Sequence, residues 1–406
     1  MEKPTTTGQI LNQADFGGKK VVTFGGANIE RAYTLGPGEF QADAKFSKEP
    51  RDLLAGGSAV NHTSRLLAMG VDVYPVLPVV HPSLDHTTGI IRQSLNDAAA
   101  SGKARILCED EDLFVSKCGL TNSFSTIVCQ GSQRAILNEF SMKLIGAFPV
   151  HCKTHRGKFG ARKEAGVPDV VMVGHIHADR KDTAEQRRLS NNKEIGQEGR
   201  ITEEILTHRS FQKSKKYVNF GASQYSLGKD RWEEVIKNHV DMFQLDIHEI
   251  RRFCRGGGRR PWPVKKILKW FRSRCTVIIT FERFGAVGQL EGSSQAVVAW
   301  PIELREIKDT TGAGDAMGAG IVASNLATPF DDNEDSLRVQ NEKFRQALEF
   351  GRLCGAYACT TSGGSADCPT RKRLLEFEKN HTAYRGEAHG ITEHDLWLLD
   401  MAFSHG

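Results

Sequence analysis

The chain has no apolar run approaching the ~18 residues of a membrane-spanning helix, and no C-x-x-C pair among its nine cysteines. It also lacks internal repeats and long low-complexity tracts. An odd number of dispersed thiols reads as reduced cysteine rather than a disulfide framework or a zinc site. Met1–Lys20 is polar and carries acidic residues, so neither a secretory signal nor a transit peptide is expected there. The predicted location is cytoplasmic, without a membrane partner. A large excess of one charge is missing too: 54 Lys+Arg against 49 Asp+Glu leave a formal +5. That balance is too slight to predict a nucleic-acid partner. No Walker A sequence, H-E-x-x-H or G-x-S-x-G occurs, which weighs against P-loop kinases, zinc peptidases and α/β-hydrolases. What is present is 406 residues, 39% hydrophobic and 25% charged, with 40 glycines. Such a composition is that of globular protein, and the length allows a large core.

Short apolar, β-branched runs at Val21–Phe24, Val170–Gly174, Tyr217–Phe220, Met242–Asp246 and Val277–Phe281 predict strands covered on both faces. Between them, helical periods cover Ala59–Met69, Thr88–Ala99, Arg231–Asn238, Val264–Arg272, Gly314–Leu326, Phe344–Tyr357 and Arg371–Lys379. Strand–helix alternation implies right-handed βαβ units and a mainly parallel sheet with helices on both faces. Two regions, 29–55 and 114–140, carry short alternating stretches without a helical period. Ser123–Cys129 and Arg134–Phe140, joined by Gln130-Gly131-Ser132-Gln133, read as a hairpin. A small β-layer projecting from the α/β body accounts for both regions. Residues 178–212, rich in charged and amide side chains, read as an exposed insertion.

The sharpest motif is Asp309-Thr310-Thr311-Gly312-Ala313-Gly314-Asp315, running into Ala316-Met317-Gly318-Ala319-Gly320. A glycine-rich turn entering a helix presents unpaired N–H groups at the positive end of the helix dipole, an arrangement suited to phosphate. A carboxylate in that first turn repels phosphate; accepting a proton from an attacking hydroxyl would give Asp315 a reason to be there. The plainer reading, a helix-start charge on a glycine turn, fits a lone G-A-G-D better than the whole pattern. A second Gly-Gly turn, Gly56-Gly57-Ser58-Ala59-Val60-Asn61, opens another helix. Asn61 is either a ligand for sugar hydroxyls, able to donate and accept, or a helix cap.

In this order, and about 250 residues apart, the two segments resemble the two signatures of the PfkB (ribokinase-like) carbohydrate kinase family. Val22–Glu30 resembles the family's first strand and its polar sugar contacts, and Thr121–Phe140 its lid hairpin. Asp246-Ile247-His248-Glu249 stands at its Asn-x-x-Glu metal motif, and Thr280–Ala286 at the segment bordering the nucleotide. Phe344–Tyr357 and Thr361–Gly364 match its C-terminal nucleotide side. The resemblance implies one ribokinase-like kinase domain over residues 1–406. It would be a three-layer α/β/α body with a mainly parallel central sheet and a small β-sheet lid from about 29–55 and 114–140. It also implies transfer of a phosphoryl group from ATP·Mg²⁺ to a sugar hydroxyl. Asp315 would be the base, and the amides of Gly312, Ala313 and Gly314 the anion hole. Asn28, Glu30, Gly57 and Asn61 would hold the acceptor, and Thr280, Gly285, Thr310, Gly312 and Gly314 the nucleotide. Glu249, with Asp246, would hold Mg²⁺ partly through water. Asp309 and the Ser362–Gly364 turn would border a monovalent cation, K⁺, as in some relatives. Lid sheets in the family often pair, which makes a homodimer the expectation. A nucleoside acceptor, and a catalytically weak sugar-binding or regulatory relative, stay open beside the sugar kinase.

Several positions depart from the pattern: Glu30 for the usual Asp, Asp246 for Asn, and Glu282 where glycine is common. Residues 251–275, with ten Arg or Lys and no acid, read as a solvated helix face. His151, Cys152 and His155 have metal-like spacing without a second ligand pair, and read as surface loop.

Overall fold

The computed structural model describes residues 16, 18–34, 53–116, 119–130, 133–161, 166–179, 199–255, 261–330, 335–381 and 389–403. In chain order the strands are β1 (Lys20–Phe24), β2 (Asn28–Thr34), β3 (Leu53–Gly56), β4 (Asp72–Val76), β5 (Phe124–Gln130), β6 (Gln133–Glu139), β7 (Val170–Val173), β8 (Lys215–Asn219), β9 (Met242–Asp246), β10 (Thr276–Thr280), β11 (Ala286–Gln289), β12 (Ala296–Ala299) and β13 (His389–Gly390). Among the described residues they form a large sheet in the order β13-β12-β11-β10-β9-β8-β7-β1-β4 and a small one in the order β3-β2-β5-β6.

From β4 to β10 every pairing in the large sheet is parallel. Strands β11, β12 and β13 then extend it antiparallel. Successive strand residues enter opposite cores. Val21, Met242 and Ile278 join the cluster beneath the helices Ser58–Ala68, Ala313–Ala327 and Leu337–Ala358. Val22, Phe243 and Val277 join the aromatic cluster of Phe211, Phe220, Trp232, Phe253 and Phe271. This alternation within near-continuous apolar runs is the three-layer α/β/α arrangement the runs predict. The small sheet is built from the two regions without helical period. β2 pairs parallel with β5 and antiparallel with β3, and β5 with β6 forms the hairpin. Residues 35–52, 117–118 and 131–132 of those regions lie outside the described residues.

The structure corrects three readings. His151, Cys152 and His155 are not in a loop but in the helix Met142–Ala161. Cys152 and His155 are buried there, with His155 Nδ1 2.9 Å from Tyr74 Oη. Pro149 inside that helix removes a donor and masked its signal. Residues 178–212 are not exposed throughout: Asp179, Ile205, Leu206 and Phe211 belong to the core, while 180–198 lie outside the described residues. Within the basic stretch, Arg251 is buried and donates to Phe403 O and Asp400 Oδ1, anchoring the helix Glu393–Ala402. The Val264–Phe271 helix does show the expected solvated face, burying Val264, Ile267, Leu268 and Phe271 and exposing its lysines.

Asp179 is fully buried and accepts from the Ile201 and Thr202 amides and the Thr202 hydroxyl, which starts the helix Arg200–Leu206. Burial pushes its carboxyl up to about 6 against those bonds. Asp179→Ala is expected to cost about 1–3 kcal/mol, since it orphans buried donors, while Asp179→Asn keeps part of the cap. Urea unfolding of the two variants against the parent checks the order.

Candidate active site

The parallel strands β1, β7, β8, β9 and β10 end along one edge of the sheet. The helix Ala313–Ala327 begins over that edge, with Asp315 in its first turn. Two steric facts put it there. Gly312, its N-cap, has φ +72°, and a Cβ on it would lie 2.8 Å from Gly364 Cα. One helical turn on from Asp315, a Cβ on Gly318 would stand 2.1 Å from Tyr217 Oη on β8. Only glycine admits that turn and that approach. Tyr217 Oη in turn donates to Gln244 Oε1 on β9 (2.5 Å), and Gln244 Nε2 donates to Gly314 O (2.9 Å). The strands thereby grip the helix start. The first intrahelical bond, Ala316 N–H to Gly312 O (2.8 Å), lies beyond the amides of Gly314 and Asp315. The Ala313 amide instead turns to Thr310 O at 3.3 Å.

Three side chains meet the Asp315 carboxylate. Asn61 Nδ2 donates to Oδ2 at 2.8 Å and Asn219 Nδ2 to Oδ1 at 3.4 Å, while His62 Nε2 lies 3.5 Å from Oδ1. Asn61 and His62 come from the buried helix Ser58–Ala68, and Asn219 from the end of β8. Burial lowers the pKa of His62, against the pull of Asp315, so the pair is a neutral ring beside a carboxylate and not an ion pair. His175, past the end of β7, is also held down by burial and senses both Asp315 and Asp246.

On one side of Asp315, Glu30 of β2 is 4% exposed. Its carboxyl is pushed up to about 7, foremost by burial, then by the charges of Asp309 and Asp315, against hydrogen bonds from the Gly364 and Gly57 amides. Asp309, also buried, accepts from the Thr311 amide and hydroxyl and from the Gly363 amide. Arg65 Nη2 donates to Gly364 O at 2.8 Å. These bonds bind the 309–312 and 361–364 turns to each other and to the Gly56-Gly57 turn. Asn28 bonds to Ser125 of β5 in the small sheet, and its Oδ1, like Asn61 Oδ1, is buried without a hydrogen-bond partner. Such orphaned acceptors suit hydroxyl donors.

On the other side, Asp246 ends β9 in register with Thr280 of β10. Asp246 and Glu249 form a reciprocal cap: the Glu249 amide donates to Asp246 Oδ1 (2.7 Å) and the Asp246 amide to Glu249 Oε2 (3.2 Å). Burial, then the Asp246 charge, push the Glu249 carboxyl up to about 8. Two adjacent half-buried carboxyls with further oxygens beyond the cap fit a hard divalent cation held partly through water. A monovalent cation fits Asp309 less well, because three hydrogen bonds already engage its oxygens and Gly364 O is taken by Arg65. Beyond Thr280, Glu282 takes a left-handed φ of +49° in the turn before Gly285, and its exposed carboxylate lies 3.5 Å from His248 Nε2. The side chain is thus largely open to solvent.

Residues 201–371 match the model of the pfkB family carbohydrate kinases. That segment is the part of the chain that resembles the pfkB carbohydrate kinases. Curated relatives match over short segments. The Arabidopsis thaliana protein named "Probable fructokinase-6, chloroplastic" is 41% identical over 71 residues, 18% of this chain and 17% of its own. The chain spans less than a third of the length of the curated relatives it matches. Solved structures extend the likeness to the whole fold. A Giardia lamblia ribokinase superposes with TM-score 0.62 at 14% identity, over 89% of this chain and 98% of its own. An Arabidopsis thaliana ribokinase complexed with ribose and ATP gives 0.55 at 14%, over 89% and 98%. The ribokinase-like fold, a mainly parallel α/β/α body with a smaller sheet, is therefore the fold of this chain.

The sequence reading missed His62, Asn219, Tyr217, Gln244 and Arg65. The legible hint was Gln244, a lone amide inside the apolar run Met-Phe-Gln-Leu-Asp. The Glu30 environment gives a signed expectation. A carboxyl raised from 4.5 to about 7 on folding supplies stability below pH 4.5 that is lost as pH rises through 7. Glu30→Gln should therefore gain on the parent as pH rises from about 4.5 to about 7, by about 3 kcal/mol at most. Thermal midpoints of both proteins across that range check it; a difference independent of pH would show Glu30 ionised in the folded state.

Proposed function

We propose that the protein is an ATP-dependent carbohydrate kinase that transfers the γ-phosphoryl group of ATP to a sugar hydroxyl. The observation that carries this reading is Asp315 on the glycine-started helix, met by Asn61, His62 and Asn219 at the strand ends. A loose phosphoryl-transfer transition state asks for alignment and charge neutralisation more than a strong base. Asp315 orients the acceptor hydroxyl and takes its proton as the bond to phosphorus forms. The Gly312–Gly314 amides, with Ala313 released from Thr310, receive the charge growing on the transferred group. Asn28, Asn61, Glu30 and Gly57 border the acceptor, and the orphaned Asn28 and Asn61 oxygens accept its hydroxyls. Thr280, Gly285 and Thr310 border the nucleotide. When bound, Mg²⁺ would neutralise phosphate charge, and Asp246 and Glu249 are the residues that would hold it. The small sheet, carrying Asn28 at its base, covers the acceptor side as a lid and offers the edge through which a dimer would form.

That a ribokinase of this fold was solved with ribose and ATP supports a sugar and ATP as the pair. ADP release measured across free sugars, sugar phosphates and nucleosides tests the reading. Turnover with nucleosides alone would move the assignment to a nucleoside kinase, and silence across the panel would overturn it.

Asp315→Asn is expected to lower turnover by about 10²–10⁴-fold while ATP affinity holds or rises, because a charge beside the phosphates is gone. Single-turnover rate, ATP affinity and thermal midpoint on one preparation separate this from a structural cap, which would lower the midpoint and spare the rate. Glu249→Gln should raise the Mg²⁺ needed for half-maximal rate, with excess Mg²⁺ partly restoring activity. An unchanged Mg²⁺ titration would remove Glu249 from the metal site.

A further inference from the structure

We propose that His62 is a positioning residue for Asp315: in its Nε2–H tautomer it is the third donor, with Asn61 and Asn219, that keeps the base ionised and aimed. This rests on the kinase reading for its consequence in turnover, but not for its geometry. His62 has no solvent exposure, and neither ring nitrogen has a hydrogen-bond partner among the described residues. Leaving both nitrogens of a buried imidazole unmet is costly, and Nε2 lies 3.5 Å from Asp315 Oδ1. The ring stands edge-on to Tyr217, 6.1 Å between centroids at 85°, on the same strand that grips the helix start. Catalytic hydrogen bonds are often long before substrate binds and tighten afterwards. Here Asn61 already holds Oδ2 at 2.8 Å, whereas Oδ1 has only the two long contacts, to Asn219 and His62. Oδ1 is thus the less engaged oxygen and the one suited to receive the hydroxyl proton.

The surroundings give the third donor a purpose. Glu30, Glu249 and Tyr217 all sense the Asp315 charge, and Asp309 lies beyond Glu30. His175 also senses that charge, and Arg65 bears on His62. Neutral donors keep a carboxylate ionised without placing a fixed cation that would compete for phosphate.

His62→Leu should lower kcat about tenfold, leave the ATP KM unchanged, and move the acidic limb of the kcat/KM profile up by about one pH unit. His62→Gln, which restores an N–H donor, should recover most of the rate and return the limb toward the parent. If His62→Leu lowers kcat and thermal midpoint together while the limb stays put, the role is structural and the proposal fails. Should the parent release no ADP with any acceptor, the kinase reading fails separately. The Asp315 carboxyl midpoint from ¹³C NMR, assigned by its absence in Asp315→Asn, is still expected to rise in His62→Leu. An unmoved midpoint overturns the proposal.

Discussion

The close approach of the Ala313–Ala327 helix to the sheet is the constraint on which the rest of the site depends. It is possible because Gly318 has no Cβ to meet the Tyr217 hydroxyl, and Gly320 none to meet Gly351 and Cys354 of the neighbouring helix Leu337–Ala358. The helix is held at its start by Gln244 through Gly314 O, and at its cap by a left-handed Gly312 lying against Gly364. With the axis so fixed, Asp315 has little freedom to point anywhere but across the strand ends. There Asn61, His62 and Asn219 arrive from two other elements. A methyl group at position 318 would lift the helix off β8 and draw the base away from all three at once.

The same crowding gathers negative charge. Glu30, Asp309, Asp315, Asp246 and Glu249 stand on neighbouring turns and strand ends, the first two buried and the others half-buried, and the carboxyls of Glu30 and Glu249 are raised as a result. Burying acids together opposes folding unless hydrogen bonds offset it. Here backbone amides of Thr311, Gly363, Gly364, Gly57, Glu249 and Asp246 do so. An arrangement that keeps its acids paired with amides, and its imidazoles neutral, favours the arrival of a divalent cation and phosphate. One network of bonds therefore serves both the turns' stability and the site's electrostatics.

The C-terminal segment adds a brace beside β9, β10 and the turn that follows. Strand β13 pairs with β12 at the sheet edge, and the following helix buries Phe403 against Phe281, Phe284 and His248. Arg251, on the helix that carries Glu249, ties Asp400 and the Phe403 carbonyl. The turn bearing Glu282 and the helix bearing Glu249 thus share one support.

Much of this was legible in the linear pattern, because local rules suffice for it. Apolar runs without alternation require strands covered on both faces, the Gly-Ala-Gly-Asp turn requires a helix start with free amides, and the glycine at 312 requires a left-handed cap. Those determined the layered body, the place of Asp315 and the separate small sheet. The tertiary structure alone decided which residues from distant elements close on it. Asn219 and Tyr217 point as they do because of strand parity and register, and His62 because its helix is buried all round. Arg65 reaches Gly364 across 299 positions of chain. It also overruled the loop reading of His151–His155, since core packing carries the helix through Pro149 despite the lost donor. Local propensity acts over a few residues. Contacts between residues more than two hundred positions apart depend on how the layers stack, and no spacing in the chain encodes that directly.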